Sequence, residues 1–177
     1  MYLLKTRFAI DDFIVEMMRI PIERLQLSQL QAWVSQLALK DDLFRHHLCF
    51  RPEQYQRRLL CRTPRFDMLI LCWQPGQAST IHDHQDSLNV TRVYRGHLTS
   101  RCFAAAEATN RPRLTQEVHL GPGDLAVVDR HQIHQLANTA NENLVTLHVY
   151  ARPLQEITVY CPQSGIAESI SVPYPLQ

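Results

Sequence analysis

His82 and His84 stand one residue apart near the middle of the chain, in the run Gly76-Gln77-Ala78-Ser79-Thr80-Ile81-His82-Asp83-His84. On a β-strand, residues i and i+2 point to the same side, so this spacing can aim two imidazoles at one ion. A third candidate, His134, follows about fifty residues later. Neutral imidazole suits divalent iron, copper, zinc or nickel, and three nitrogens on one face would leave coordination positions open for a substrate and dioxygen.

These residues need a scaffold, and the chain changes character once. Residues 10 to 48 read as helical: Ser28-x-x-Gln31 has the form of a capping box, and Leu30, Trp33, Val34 and Leu37 recur on one helical face. From about residue 54 the pattern becomes short strands, expected at Met68 to Trp73, Asn89 to Tyr94, Leu98 to Ala104, Leu125 to Val128 and Leu144 to Tyr150. Pro75-Gly76, Arg95-Gly96, Asn110-Arg111-Pro112 and Gly121-Pro122-Gly123 punctuate them. Regular strands with glycine and proline turns imply an antiparallel sandwich or barrel with helices outside it. Neither an internal repeat nor a linker is visible, so residues 1–177 are expected to form a single domain.

Composition agrees with a small-molecule protein. With 45% hydrophobic residues over 177 positions, one core can be filled, and a formal net charge of +1 provides no basic field for nucleic acid or an acidic membrane. Charged and polar residues interrupt Met1-Tyr2-Leu3-Leu4-Lys5 too early for a signal peptide, and no apolar run is long enough to span a bilayer, so a cytoplasmic location is expected. No obligate protein partner is indicated. Five widely spaced cysteines without a Cys-x-x-Cys suggest neither a disulfide framework nor a thiolate zinc site, and most read as small buried hydrophobes.

The spacing around the histidines resembles the two cupin motifs. Gly76, His82, His84, Asn89 and Gly96 fall on the first, and Gly123, Asp129, His131, His134 and Asn138 on the second. The resemblance supplies His134 as the third ligand and a jelly-roll β-barrel as the fold. Asn89 stands where the motif usually has a ligating glutamate, which points to the three-histidine branch. Asp129 and His131 replace the proline and glycine of a turn.

Two further stretches narrow the resemblance. Tyr55 and Arg57 share one face in Tyr55-Gln56-Arg57, and Thr146, His148 and Tyr150 share one in Thr146-Leu147-His148-Val149-Tyr150. Together with the histidine motifs, over roughly residues 10 to 160, the chain resembles the cysteine dioxygenase family of thiol dioxygenases. That resemblance implies Fe(2+) held by His82, His84 and His134, with a small thiol and dioxygen as the reaction partners. Arg57 would grip the substrate carboxylate with its planar fork, Tyr55 would support that end, Tyr150 would hydrogen-bond near the reacting oxygen, and His148 would orient the tyrosine hydroxyl. The expected product is a sulfinic acid.

Mammalian members carry a cysteine five residues after the second ligand, cross-linked to the tyrosine. Asn89 occupies that position here, so no thioether can form there. Ala151-Arg152-Pro153 replaces their Ser-Pro-Pro. Relatives that prefer 3-mercaptopropionate usually carry glutamine at the position of Arg57, which makes L-cysteine the first expectation and 3-mercaptopropionate or another small thiol the alternative. A non-catalytic ligand-binding cupin, or a zinc or nickel cupin, would share the histidines without requiring the Arg57, His148 and Tyr150 set. His46, His47, His97, His119 and His131 lack such a context and read as solvated or turn residues.

Overall fold

The computed structural model describes residues 9–106 and 111–173, with the side chain of Leu43 left aside. The opening segment Met1 to Lys5 and Asn110 of an expected turn lie outside those residues. Among these residues three α-helices lead, α1 (Ile10–Arg19), α2 (Leu27–Ser35) and α3 (Asp41–Arg45), with a 3-10 turn at Ile22–Arg24, and eleven strands follow. The strands are β1 (Gln56–Arg62), β2 (Phe66–Trp73), β3 (His82–Asp83), β4 (Leu88–Arg95), β5 (Leu98–Ala105), β6 (Pro112–Leu120), β7 (Leu125–Val128), β8 (Ile133–Ala137), β9 (Leu144–Ala151), β10 (Glu156–Tyr160) and β11 (Ala167–Ser171). They form a five-stranded sheet in the order β1-β2-β9-β4-β7 and a six-stranded sheet in the order β11-β10-β3-β8-β5-β6. This is the mainly β jelly roll with N-terminal helices that the sequence implied.

Buried side chains divide into two cores, one on each face of the five-stranded sheet. On β2, Phe66, Met68, Ile70 and Cys72 pack outward against Phe13, Met17, Leu30 and Val34 of the helices, while Leu69, Leu71 and Trp73 pack inward. The same alternation on β9 sends Val145, Leu147 and Val149 toward the helices. Burial on both faces explains why Met68 to Trp73 of β2 reads as an uninterrupted apolar run rather than an alternating one. Phe13 anchors the helical layer with edge-on contacts to Phe66 at 5.7 Å and Trp33 at 6.5 Å between ring centroids. Arg92 Nη1 donates to the carbonyls of Val34 at 3.1 Å and Leu37 at 2.7 Å, tying the end of α2 to β4.

Some expectations need correction. Ser28 lies inside α2 rather than at its N-cap; Gln26 takes that position, with no side-chain cap bond, so the Ser28-Gln31 capping box does not exist. Only Cys72 among the five free cysteines is fully buried. Strand β6 is not among the expected strands; Pro112, Leu114, Val118 and Leu120 do alternate with Arg113, Thr115, Glu117 and His119, but both faces are exposed along most of its length. The motif glycine Gly96 has φ +82°, and a Cβ there would lie 2.6 Å from the Asn143 carbonyl oxygen, so backbone conformation and close approach both require glycine. His131, where the motif usually has glycine, adopts φ 57°.

Candidate metal centre

The centre is built on the shortest strand. β3 has only two residues, with His82 directly opposite His134 of β8 on one side and opposite Val159 of β10 on the other. Cross-strand pairing sets the first two imidazoles side by side. His84 lies just beyond β3, so it reaches the same point through a turn rather than through strand alternation alone. Gln85, at φ 49°, turns the chain there, and Asp83 braces the turn from the opposite face. The Asp83 carboxylate accepts hydrogen bonds from the Gln85 N–H at 2.9 Å and the Tyr160 hydroxyl at 2.7 Å. Asp83 had no role in the sequence reading; its place between two ligands of a motif was the available signal.

Ring orientation follows from the backbone. His82 Nδ1 lies 2.8 Å from the Thr80 carbonyl oxygen and His134 Nδ1 lies 3.2 Å from that of Gln132. A carbonyl only accepts, so both Nδ1 atoms carry the proton and both Nε2 atoms present a lone pair. His82 Nε2 and His84 Nε2 are 3.1 Å apart, and the potential ligand atoms of all three histidines lie within 4.8 Å of one another. Two imidazole nitrogens bound at about 2.1 Å and at right angles would be roughly 3 Å apart. His84 Nδ1 is buried without a hydrogen-bond partner among the described residues. Converging nitrogens at this separation, two of them with bare Nε2 lone pairs, fit a shared cation. Burial lowers the pKa of His82 and drives those of His84 and His134 well down, with neighbouring imidazoles adding to the effect in the latter two, which favours the neutral, ligating form.

A cavity of about 60 Å³ adjoins these histidines and is also lined by Tyr55, Arg57, His148 and Tyr150. At roughly 10–15 Å³ per water-sized sphere it has room for a molecule of a few heavy atoms, not a polymer. Tyr55, just before β1, stacks on Trp73 with 4.1 Å between ring centroids. Arg57 is half-buried, and no acidic group among the described residues pairs with it. Its charge contributes to lowering the pKa values of His82, His84 and His148. A larger, open cleft of about 480 Å³ also touches His84, but its lining mixes Arg62 and Arg152 with Asp86 and Glu156, and of the metal-binding cluster found among the described residues only His84 belongs to it.

Tyr150 stands edge-on to His84, 5.0 Å between ring centroids, and its hydroxyl is 3.3 Å from His148 Nδ1. Burial pushes the phenol pKa up and lowers that of His148 to about 3. The alternation that put Thr146, His148 and Tyr150 on one face therefore corresponds to a buried inward face on β9. Asn89 is fully buried, but its amide bonds to Thr91 and the Val149 carbonyl rather than to the histidine cluster. The remaining histidines stay apart: His97 pairs with Glu142, His119 lies near Glu117, and His131 lies near Asp86. His46 caps α3, and His47 beside it is half-buried rather than solvated.

The fold and site thus define a cupin with a three-histidine cluster. The protein TT1209 of Thermus thermophilus superposes with a TM-score of 0.54 at 22% identity, covering 65% of this chain and 97% of that one. An uncharacterised double-stranded β-helix protein of Klebsiella pneumoniae gives 0.51 at 18%, covering 65% and 91%. Within that fold, the model of the family "Cysteine dioxygenase type I" matches residues 21–163, and the chain belongs to that family. It is 28% identical over 120 residues to cysteine dioxygenase type 1 of Bos taurus and 26% identical over 129 residues to that of Rattus norvegicus. These matches cover 66% and 71% of this chain but only 60% and 64% of the relatives. No helix among the described residues is long and apolar enough to cross a membrane.

Proposed function

We propose that this chain is an iron-dependent thiol dioxygenase that converts L-cysteine to cysteine sulfinic acid. The observation that carries the substrate is Arg57, a guanidinium without an acidic partner among the described residues, on the wall of the small cavity beside three histidines. A carboxylate is the group such a fork binds best, and the cavity volume favours an amino-acid-sized molecule. In the balanced reaction one thiol and one O2 give one sulfinic acid: the sulfur loses four electrons, O2 gains them, and both oxygen atoms end on sulfur.

His82, His84 and His134 would hold Fe(2+), which when bound supplies a Lewis acid for the thiol and a redox centre for O2. Arg57 fixes the carboxylate, and the Tyr55–Trp73 stack stiffens the wall beside it. Tyr150 keeps its phenolic proton at neutral pH and donates it as a hydrogen bond on the metal side of the cavity. The apolar residues Leu71, Leu136, Leu154 and Val172 limit water. The test is anaerobic loading with ferrous iron, followed by oxygen and product identification with L-cysteine, 3-mercaptopropionate and cysteamine in parallel. Cysteine sulfinate as the favoured product supports the proposal. Preference for 3-mercaptopropionate would reassign the substrate, and no oxidation of any thiol by iron-loaded protein would point to a ligand-binding cupin.

A further inference from the structure

Behind Tyr150 runs a line of buried polar side chains, and of these the dioxygenase reading uses only Trp73 and His148. Trp73 Nε1 donates to Thr146 Oγ1 at 3.0 Å, Thr146 Oγ1 lies 2.8 Å from His148 Nε2, and His148 Nδ1 lies 3.0 Å from Thr91 Oγ1. Thr91 Oγ1 donates to Asn89 Oδ1 at 3.0 Å, and Asn89 Nδ2 donates to the Val149 carbonyl at 3.2 Å. Trp73, Asn89, Thr91, Thr146 and His148 are each 1% exposed or less. Strand register aligns two of these contacts: Asn89 is opposite Tyr150, and Thr91 is opposite His148.

Both ends of the line dictate its polarity. The Val149 carbonyl only accepts, so the Asn89 amide nitrogen must face it and Oδ1 must face Thr91. Thr91 has one hydroxyl hydrogen, which goes to Oδ1, leaving its oxygen to accept from His148 Nδ1. At the other end, the indole N–H only donates, so Thr146 accepts from Trp73 and gives its own hydrogen to His148 Nε2. Each end independently selects the same neutral tautomer, with the hydrogen on Nδ1.

Resting on the dioxygenase reading for its catalytic meaning, we propose that Asn89 and Thr91 are positioning residues that lock His148 in its Nδ1–H tautomer and so reserve the Tyr150 hydroxyl proton for the substrate cavity. With a hydrogen on Nδ1, His148 has no lone pair to take the Tyr150 proton at 3.3 Å; it can only share its N–H with the phenol oxygen. No other hydrogen-bond partner of the Tyr150 hydroxyl occurs among the described residues. Asn89, at the position where the mammalian pattern has its cross-linking cysteine, would then orient the tyrosine by hydrogen bonds rather than by a covalent tether.

Long-range ¹H–¹⁵N correlation on histidine-labelled protein, with zinc in place of any paramagnetic ion, reads the tautomer without any turnover. The expected spectrum has His148 protonated on Nδ1 in the wild type and shifted toward Nε2–H in Thr91→Val. A wild-type His148 protonated on Nε2 would overturn the proposal whatever the activity assay shows. In kinetics, Thr91→Val should lower kcat about tenfold with KM within about twofold, Thr91→Ser should restore it, and Thr91→Val should add nothing to Tyr150→Phe. Equal losses in Thr91→Ser, or an undiminished effect of Thr91→Val in the Tyr150→Phe background, would mean that Thr91 acts on packing alone. Absence of thiol oxidation in the wild type would defeat the dioxygenase reading and leave the tautomer assignment standing on the spectrum.

Discussion

Replacing Arg57 with alanine separates recognition of the substrate carboxylate from every other role of the site. Two opposite unit charges 4 Å apart interact by about 4 kcal/mol at an effective dielectric constant of 20. Arg57 is half-buried, so water screens part of this, and the range for hydrogen bonds to charged groups, about 1.5–3 kcal/mol, is the better guide. That corresponds to a loss of roughly ten- to 150-fold in apparent affinity for L-cysteine. Cysteamine has the thiol and amine but no carboxylate, and its affinity should change by no more than about threefold. Arg57→Lys keeps the charge but not the two-pronged geometry, and should fall between wild type and alanine. The assay is competition binding of both thiols to iron-loaded, oxygen-free protein, with metal content measured on the same samples. Equal losses for cysteine and cysteamine would refute the carboxylate role and make Arg57 a support for the wall it shares with Tyr55.

Other consequences are as direct. His82→Ala, His84→Ala and His134→Ala should each abolish iron retention by elemental analysis while circular dichroism stays that of a folded β protein; full iron occupancy in any one variant would remove that residue from the ligand set. The Tyr150 peptide should have its unmodified mass, without the two-hydrogen loss of a thioether, and Tyr150→Phe should bind iron and cysteine normally but lower turnover or uncouple oxygen uptake from sulfinate; an unchanged rate and ratio would return Tyr150 to the core. His148 has a folded pKa of about 3 against 6.5 for the unfolded chain, so the unfolded state takes up the proton first. Its contribution to stability is therefore complete above about pH 6.5 and is lost as pH falls, by about 1.4 kcal/mol per unit and about 2 kcal/mol by pH 5. His82, His84 and His134, also held below 6.5, add to the wild-type slope, so urea unfolding of metal-free protein from pH 7 to 5 should show a slope shallower in His148→Gln than in the wild type by up to that amount; identical slopes would show that His148 does not contribute.

Much of this molecule was legible in local sequence because the signals are local. Gly76, His82, His84, Gly96, Gly123 and His134 keep spacings that a turn-strand-turn backbone imposes, and period-two alternation was enough to put Thr146, His148 and Tyr150 on one face. Strand β7 was expected at the bounds it has, and Leu30, Val34 and Leu37 do form the buried face of the helical lead. Alternation could not say which face looked into the cavity, since β9 is buried on both sides. Nor could it reveal that Trp73, Thr146, His148, Thr91 and Asn89 form one line, because their hydrogen bonds join β2, β9 and β4, strands brought together only by the order of the sheet. The Asn89-Val90-Thr91 alternation hinted at a polar inner face; the direction of each hydrogen bond required partners up to 73 residues apart. Residue types and spacing thus determined the paired histidines, an antiparallel β architecture and the residues that share a strand face, while the resemblance those motifs carry implied the family, the jelly roll and the third ligand. The tertiary structure decided the rest: sheet pairing brought the histidines together, nearby carbonyls set which of their nitrogens face the site, and contacts between strands left Arg57 without an acidic partner among the described residues and fixed which way the protons of the buried line point.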